Sequence, residues 1–106
     1  MSARRAHERY DCELPISVKH GDRAIDLVAK NVSLGGLFCA SDEMLPYGAE
    51  VEVTLRLPAM KTDMTTRMTV RWSRDGGIGL QFGSLRALEV WGLNQLFRTL
   101  QPTPET

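Results

Sequence analysis

The segment Val51-Glu52-Val53-Thr54-Leu55-Arg56-Leu57 places an apolar side chain at every second position and a polar one between. Successive side chains of a strand point to opposite faces, so this pattern is that of a half-buried β-strand and not of a helix. Working outward, Pro46-Tyr47-Gly48 marks the turn before it, and Met64–Ser73 supplies a further strand with Met68, Val70 and Trp72 on one face. Asp75-Gly76-Gly77 turns that strand into Ile78-Gly79-Leu80-Gln81-Phe82. Upstream, Leu14–His20 alternates through Ile16 and Val18, and Gly21-Asp22 turns it into Ala24–Val32, with Ile25, Leu27 or Val28, and Val32 as its apolar positions. Ser33-Leu34-Gly35-Gly36 then bends the chain into a short strand, Leu37–Ala40. About six short strands separated by turn chemistry predict a mainly β protein, an antiparallel sheet or small barrel.

From Ser84 the period changes. Leu85, Leu88, Trp91, Leu93, Leu96, Phe97 and Leu100 recur at helical spacing, with Ser84 as the expected N-cap. Gly92 inside that run costs about 1 kcal/mol relative to Ala, so packing and not propensity must hold the helix, which is expected to cover an opening of the barrel. Pro102 and Pro104 are expected to end the order. The expected organisation is a flexible arginine segment over 1–13, a barrel plus C-terminal helix over 14–100, and a tail over 101–106.

Composition narrows the function. A chain of 106 residues, 42% hydrophobic and 25% charged, supports one packed domain and not a disordered chain. Thirteen basic side chains balance thirteen acidic ones, so no overall field holds a long polyanion; neither DNA nor RNA is the expected partner, and any anion site must be local. Basic residues concentrate only at the start, where Arg4, Arg5 and Arg9 outnumber Glu8. Cys12 and Cys39 lack CxxC spacing, which points to reduced thiols and a cytoplasmic protein. No stretch approaches the roughly 20 apolar residues that span a bilayer, and no apolar run follows the basic start, so membrane insertion is not expected. His7, His20 and the two cysteines do not have metal-ligand spacing, and no Ser, His and acid grouping suggests a nucleophile with its base. No catalytic residue, metal or cofactor is assigned.

Two short elements carry chemistry. Arg5 and Arg9 are four apart, which puts both on one side of either a helical or an extended segment. The guanidinium fork grips phosphate oxygens or the O6 and N7 edge of guanine, and stacks on the base. Taken alone, Arg4 and Glu8 also read as an exposed i,i+4 pair on a solvated segment. In Asn31-Val32-Ser33-Leu34-Gly35-Gly36, Asn31 can brace a turn, Ser33 offers a hydroxyl, and Gly35-Gly36 permits positive φ and backbone N–H groups turned towards an anion. An ordinary strand-to-strand turn accounts for the same residues.

Together, RxxxR at Arg5 and Arg9, NxSxxG from Asn31 to Gly36, and GxGxxF at Gly77–Phe82, in that order within a six-strand-plus-helix pattern, resemble the PilZ domain family over residues 4 to 100. The resemblance implies a six-stranded antiparallel β-barrel with a C-terminal helix that binds cyclic di-GMP, a receptor and not an enzyme. It implies that Arg5 and Arg9 contact guanine edges and phosphates, that Asn31 orients the turn and bonds guanine, and that Ser33, Gly35 and Gly36 let base and ribose lie against the barrel. Arg4 is similar to the extra arginine with which some members hold a second ligand, which implies an intercalated dimer of cyclic di-GMP. Arg71 and Trp72 stand on a strand where some members place further contacts, whereas alternation alone puts Trp72 in the core. Members of this bare form work by docking on another protein, such as motility, secretion or surface-polysaccharide machinery, and the arginine segment folds over the ligand. The rival reading is a degenerate member that binds no nucleotide and acts only as an interaction partner.

Overall fold

The computed structural model describes residues 8–74 and 76–103. Six strands, β1 (Tyr10–His20), β2 (Arg23–Val32), β3 (Gly36–Ala40), β4 (Glu50–Leu55), β5 (Met64–Arg74) and β6 (Gly77–Phe82), precede one helix, α1 (Ala87–Phe97). Every pairing is antiparallel, and the order β1-β2-β3-β6-β5-β4 closes on itself as a barrel. Closure gives every strand a neighbour on each side, though not along its whole length, which is how a small β protein avoids long exposed edges. Gly21 and Gly76 close the β1–β2 and β5–β6 hairpins at φ 62° and 79°, a region open to glycine at little cost.

The alternation read from the sequence becomes the wall of the core. In β4, Val51, Val53 and Leu55 are buried while Glu50 and Glu52 are exposed. Val18, Val32, Cys39, Met68, Val70 and Ile78 fill the same interior from the other strands. β4 ends at Leu55, short of the expected Leu57, yet Leu57 stays fully buried because α1 lies over it. Gly92 makes that approach close: a Cβ there would stand 3.0 Å from Leu57 Cδ1 and 2.9 Å from Met60 Sδ. The helix glycine is thus a packing contact, and the helix is held by its seat on the barrel.

Three expectations are corrected. The barrel begins at Tyr10 and not at Leu14, because a bulge between Asp11 and Leu14 interrupts the alternation that marked the strand. The order does not stop at Pro102: Pro102 bridges to Tyr10, and Gln101 and Thr103 bond to the backbone beside it. The helix begins after Arg86 and not at Ser84, since the Glu89 carboxylate accepts the Arg86 backbone N–H (2.8 Å) and its guanidinium (2.8 Å). The face that α1 buries is Glu89, Gly92, Leu93, Leu96 and Phe97, while Leu88 and Trp91, which share the helical spacing, lie 60% and 47% exposed. No helix among the described residues is long and apolar enough to cross a membrane.

Candidate ligand cleft

Two bulges shape one outer face of the barrel. Between β5 and β6 the register steps from Val70↔Leu80 to Trp72↔Gly79, leaving Arg71 as the extra residue. Between β2 and β3 it steps from Ala29↔Cys39 to Asn31↔Phe38, leaving Lys30 extra. In consequence Asn31, Phe38, Gly79 and Trp72 align as one row across β2, β3, β6 and β5. The β5 bulge also overturns the core placement of Trp72. Met68 and Val70 point inward, but one inserted residue returns Trp72 to the outside, where it is only partly buried.

Glycines provide the bed for this row. A Cβ at Gly79 would stand 2.2 Å from Trp72 Nε1, and one at Gly77 would stand 2.7 Å from Phe38 Cε1. The two rings lie on bare backbone and stack on each other with centroids 5.3 Å apart and planes 28° apart. The Gly77-x-Gly79 pattern is therefore the footprint of Trp72 and Phe38.

The turn after β2 is closed by its own serine. Ser33 Oγ accepts the N–H of Gly35 (2.9 Å) and of Gly36 (3.2 Å), and the Ser33 N–H donates to Gly36 O (2.9 Å). This corrects the expected anion nest: both glycine N–H groups are engaged within the turn, and neither glycine adopts the positive φ seen at Gly21, Gly48 and Gly76. Gly36 is required for another reason, since a Cβ on it would fall 2.0 Å from the carbonyl oxygen of Leu80 on the neighbouring strand.

Around the turn and the aromatic row lies a cleft of about 480 Å³, within the usual range of small-molecule sites. Arg9, Asn31, Ser33, Gly35, Gly36, Arg71 and Trp72, all singled out from the sequence, line it, together with Leu37, Phe38, Gly79, Leu80 and Gln81. Arg4 and Arg5 lie outside the described residues. Arg71 Nε donates to Gln81 Oε1, which holds its guanidinium along the cleft. Phe38 and Gln81 escaped the sequence reading. The signal for Phe38 was the glycine pair on the neighbouring strand β6, which leaves room for large side chains; Gln81 carries no sequence signal.

The described lining thus combines two guanidinium groups, two amides, a broad aromatic face and no carboxylate. That set suits a ligand with planar rings and negative charge. Among the described residues no group of three or more His, Cys, Asp or Glu side chains could hold a metal ion. The thiols stand apart from this chemistry: burial pushes Cys12 up to about 11, and burial with the nearby Cys12 pushes Cys39 up to about 12.

A family model described as PilZ domain matches residues 3–98 of the chain. A search of curated protein sequences gave no match. Among solved structures, the inhibitor of motility MotI/DgrA of Bacillus subtilis superposes with a TM-score of 0.76 at 21% identity, over 92% of this chain and 51% of that one. The chain therefore spans about half the length of that protein. The PilZ domain of YcgR from Escherichia coli, solved with c-di-GMP, gives 0.74 at 12% identity over 92% of each chain. The PilZ domain of CeSA from a cellulose-synthesising bacterium gives 0.67 at 14% identity, over 86% of this chain and 95% of that one. At these identities the likeness is one of fold.

Proposed function

The chain belongs to the PilZ domain family, and on that premise we propose that it is a receptor for cyclic di-GMP that passes its ligand state to a partner protein. The observation that carries this reading is the convergence of Arg9, Asn31, Arg71 and the Trp72–Phe38 pair on one cleft free of carboxylates among the described residues. A guanine presents a flat face for the aromatic row and an O6/N7 edge for a guanidinium, and the phosphodiester supplies the negative charge. Arg5 joins Arg9 as the other arm of RxxxR, and the segment that carries Arg5 folds over the bound nucleotide. Arg4 adds guanidinium surface for a second, intercalated molecule, so two ligands per chain are proposed. The chain binds its nucleotide and does not turn it over. The solved likenesses include an inhibitor of motility and a domain from a cellulose-synthesising bacterium, which supports motility or polysaccharide machinery as the kind of partner.

Calorimetric titration with cyclic di-GMP tests the reading. Wild type is expected to bind two equivalents and Arg4→Leu one. Arg9→Ala removes charge-assisted hydrogen bonds worth about 1.5 to 3 kcal/mol, a loss of roughly tenfold to hundredfold in affinity, with the melting temperature unchanged. A folded wild type that takes up no cyclic di-GMP, or an Arg9→Ala chain that binds as wild type does, would overturn it.

A further inference from the structure

Arg9 reaches the cleft from a backbone held by the other end of the fold. After α1 the chain turns, with Thr99 and Leu100 N–H donating to Leu96 O (2.9 Å) and Phe97 O (3.1 Å), and returns alongside the start of β1. There the Asp11 N–H donates to Gln101 O (2.8 Å) and the Thr103 N–H donates to Arg9 O (2.8 Å). Tyr10 and Pro102 face each other as an antiparallel bridge, and Thr103 Oγ1 donates to Asp11 Oδ1 (2.8 Å). The geometry is that of a short additional strand. It has a place because β4 pairs with β1 only over Ile16–Lys19, which leaves the first half of β1 unpaired with β4 on that edge. Pro102 fits between two bonding residues because the position on an edge strand that faces away needs no N–H. The bridge is also fastened to the helix, since Tyr10 stacks on Phe97 with centroids 4.5 Å and planes 12° apart.

We propose that Gln101–Thr103 is a positioning element of the ligand site. It fixes the backbone of Arg9 so that the guanidinium stands at the cleft before the ligand arrives, and the ordering cost of that arginine is met during folding and not on binding. Reciprocity follows from linkage: a nucleotide held by Arg9 tightens the bridge by the same free energy with which the bridge favours the nucleotide. This rests on the cyclic di-GMP reading above.

The test uses the full chain and the side chain at 103. Thr103→Pro removes both the N–H given to Arg9 and the hydroxyl given to Asp11 while keeping an extended backbone. Thr103→Val removes only the hydroxyl, and Thr103→Ser keeps both. Titration with cyclic di-GMP is expected to show a roughly three- to tenfold loss for Thr103→Pro, a smaller loss for Thr103→Val and wild-type affinity for Thr103→Ser. In an Arg9→Ala background, Thr103→Pro should cost nothing further, because its action runs through Arg9. Amide exchange of Asp11 and Thr103 should slow when cyclic di-GMP is added to wild type. A Thr103→Pro chain with wild-type affinity, or an equal loss in the Arg9→Ala background, overturns the proposal while leaving the receptor reading intact. A wild type that binds no cyclic di-GMP removes the receptor reading and this proposal with it.

Discussion

Gly36→Ala isolates the part of the NxSxxG element that serves the barrel. A Cβ at position 36 would lie 2.0 Å from Leu80 O, 3.0 Å from Leu80 C and 3.1 Å from Gln81 Cα, all backbone atoms of β6. Non-bonded heavy atoms rest at roughly 3.5 Å, and no rotamer moves a main chain, so β3 and β6 must part by about 1.5 Å where they are otherwise about 4.8 Å apart. Two bonds meet at that corner: Phe82 N–H to Gly35 O (2.9 Å) across to β6, and Ser33 N–H to Gly36 O (2.9 Å) within the adjoining turn. Each is worth about 0.5 to 1.5 kcal/mol net, and a buried group left unpaired adds about 1 to 3 kcal/mol. The expected destabilisation is about 3 to 5 kcal/mol, a large share of the roughly 5 to 15 kcal/mol that holds a domain folded. For a domain of this size that is a fall in melting temperature of at least about 12 °C, read by circular dichroism without ligand. A Gly36→Ala chain that melts within about 4 °C of wild type, yet fails to bind cyclic di-GMP, would show that the glycine serves the ligand and not the β3–β6 contact.

Gly79→Ala should fall mainly on binding and not on stability, because its Cβ would meet a movable side chain, Trp72 Nε1 at 2.2 Å; the indole is displaced, its fluorescence shifts and cyclic di-GMP affinity drops, while the melting temperature falls by only a few degrees. Unchanged emission and affinity would refute the bed assigned to that glycine. Burial of Glu89 favours its neutral form, but the hydrogen bonds from the Arg86 side chain and backbone and the Arg86 charge outweigh this and hold its carboxyl below the usual range. A depressed folded value means that the stabilisation is present above the unfolded value near 4.3 and is lost as pH falls through the folded one. Glu89→Gln should therefore destabilise the chain at pH 7 by the worth of a helix cap, about 1 kcal/mol, and shrink the loss of melting temperature seen between pH 7 and pH 3; parallel pH profiles for the two chains would refute this. With thiols raised to about 11 and about 12, Cys12 and Cys39 should label with a disulfide reagent at pH 8 far more slowly than a free thiol, Cys39 only on unfolding; rapid labelling of both in the native protein would contradict their burial.

The strands were legible because a closed barrel sorts inside from outside at every residue, and Val51, Val53 and Leu55 obey that sorting without interruption. It fails where a bulge inserts a residue. Cys12 and Glu13 break the alternation of β1, so its first turns read as part of a loose arginine segment although Tyr10 is paired on one side to Val32 and on the other to Pro102. The pairing of Gln101–Thr103 leaves no trace in local pattern, since three residues with a central proline carry no period at all. In α1 the spacing of Leu88 and Trp91 was helical, but about three turns of an amphipathic helix offer more apolar positions than one contact face can bury, and the close seat of Gly92 on Leu57 and Met60 decides which are left outside.

Most of the residues that line the cleft were legible in identity, and less so in the reason each stands there. Of the NxSxxG element, Ser33 spends its oxygen on the N–H groups of Gly35 and Gly36, and Gly36 makes room for the Leu80 carbonyl. Those positions are fixed by the barrel whether or not a nucleotide ever binds. The groups left facing the cleft are those the turn and the bulges deliver: Arg9, Asn31, Arg71 and the ring of Trp72. The bulge at Arg71 is what a period of two cannot foresee, and it moves Trp72 from the core side to the cleft. The glycine motif is therefore a signature of the fold, and the arginines and the bulged strand are where a nucleotide-binding chain and a merely structural one would part company. A chain that kept Ser33 and Gly36 but lost Arg9 and Arg71 would close the same barrel around a cleft stripped of the positive charge described here.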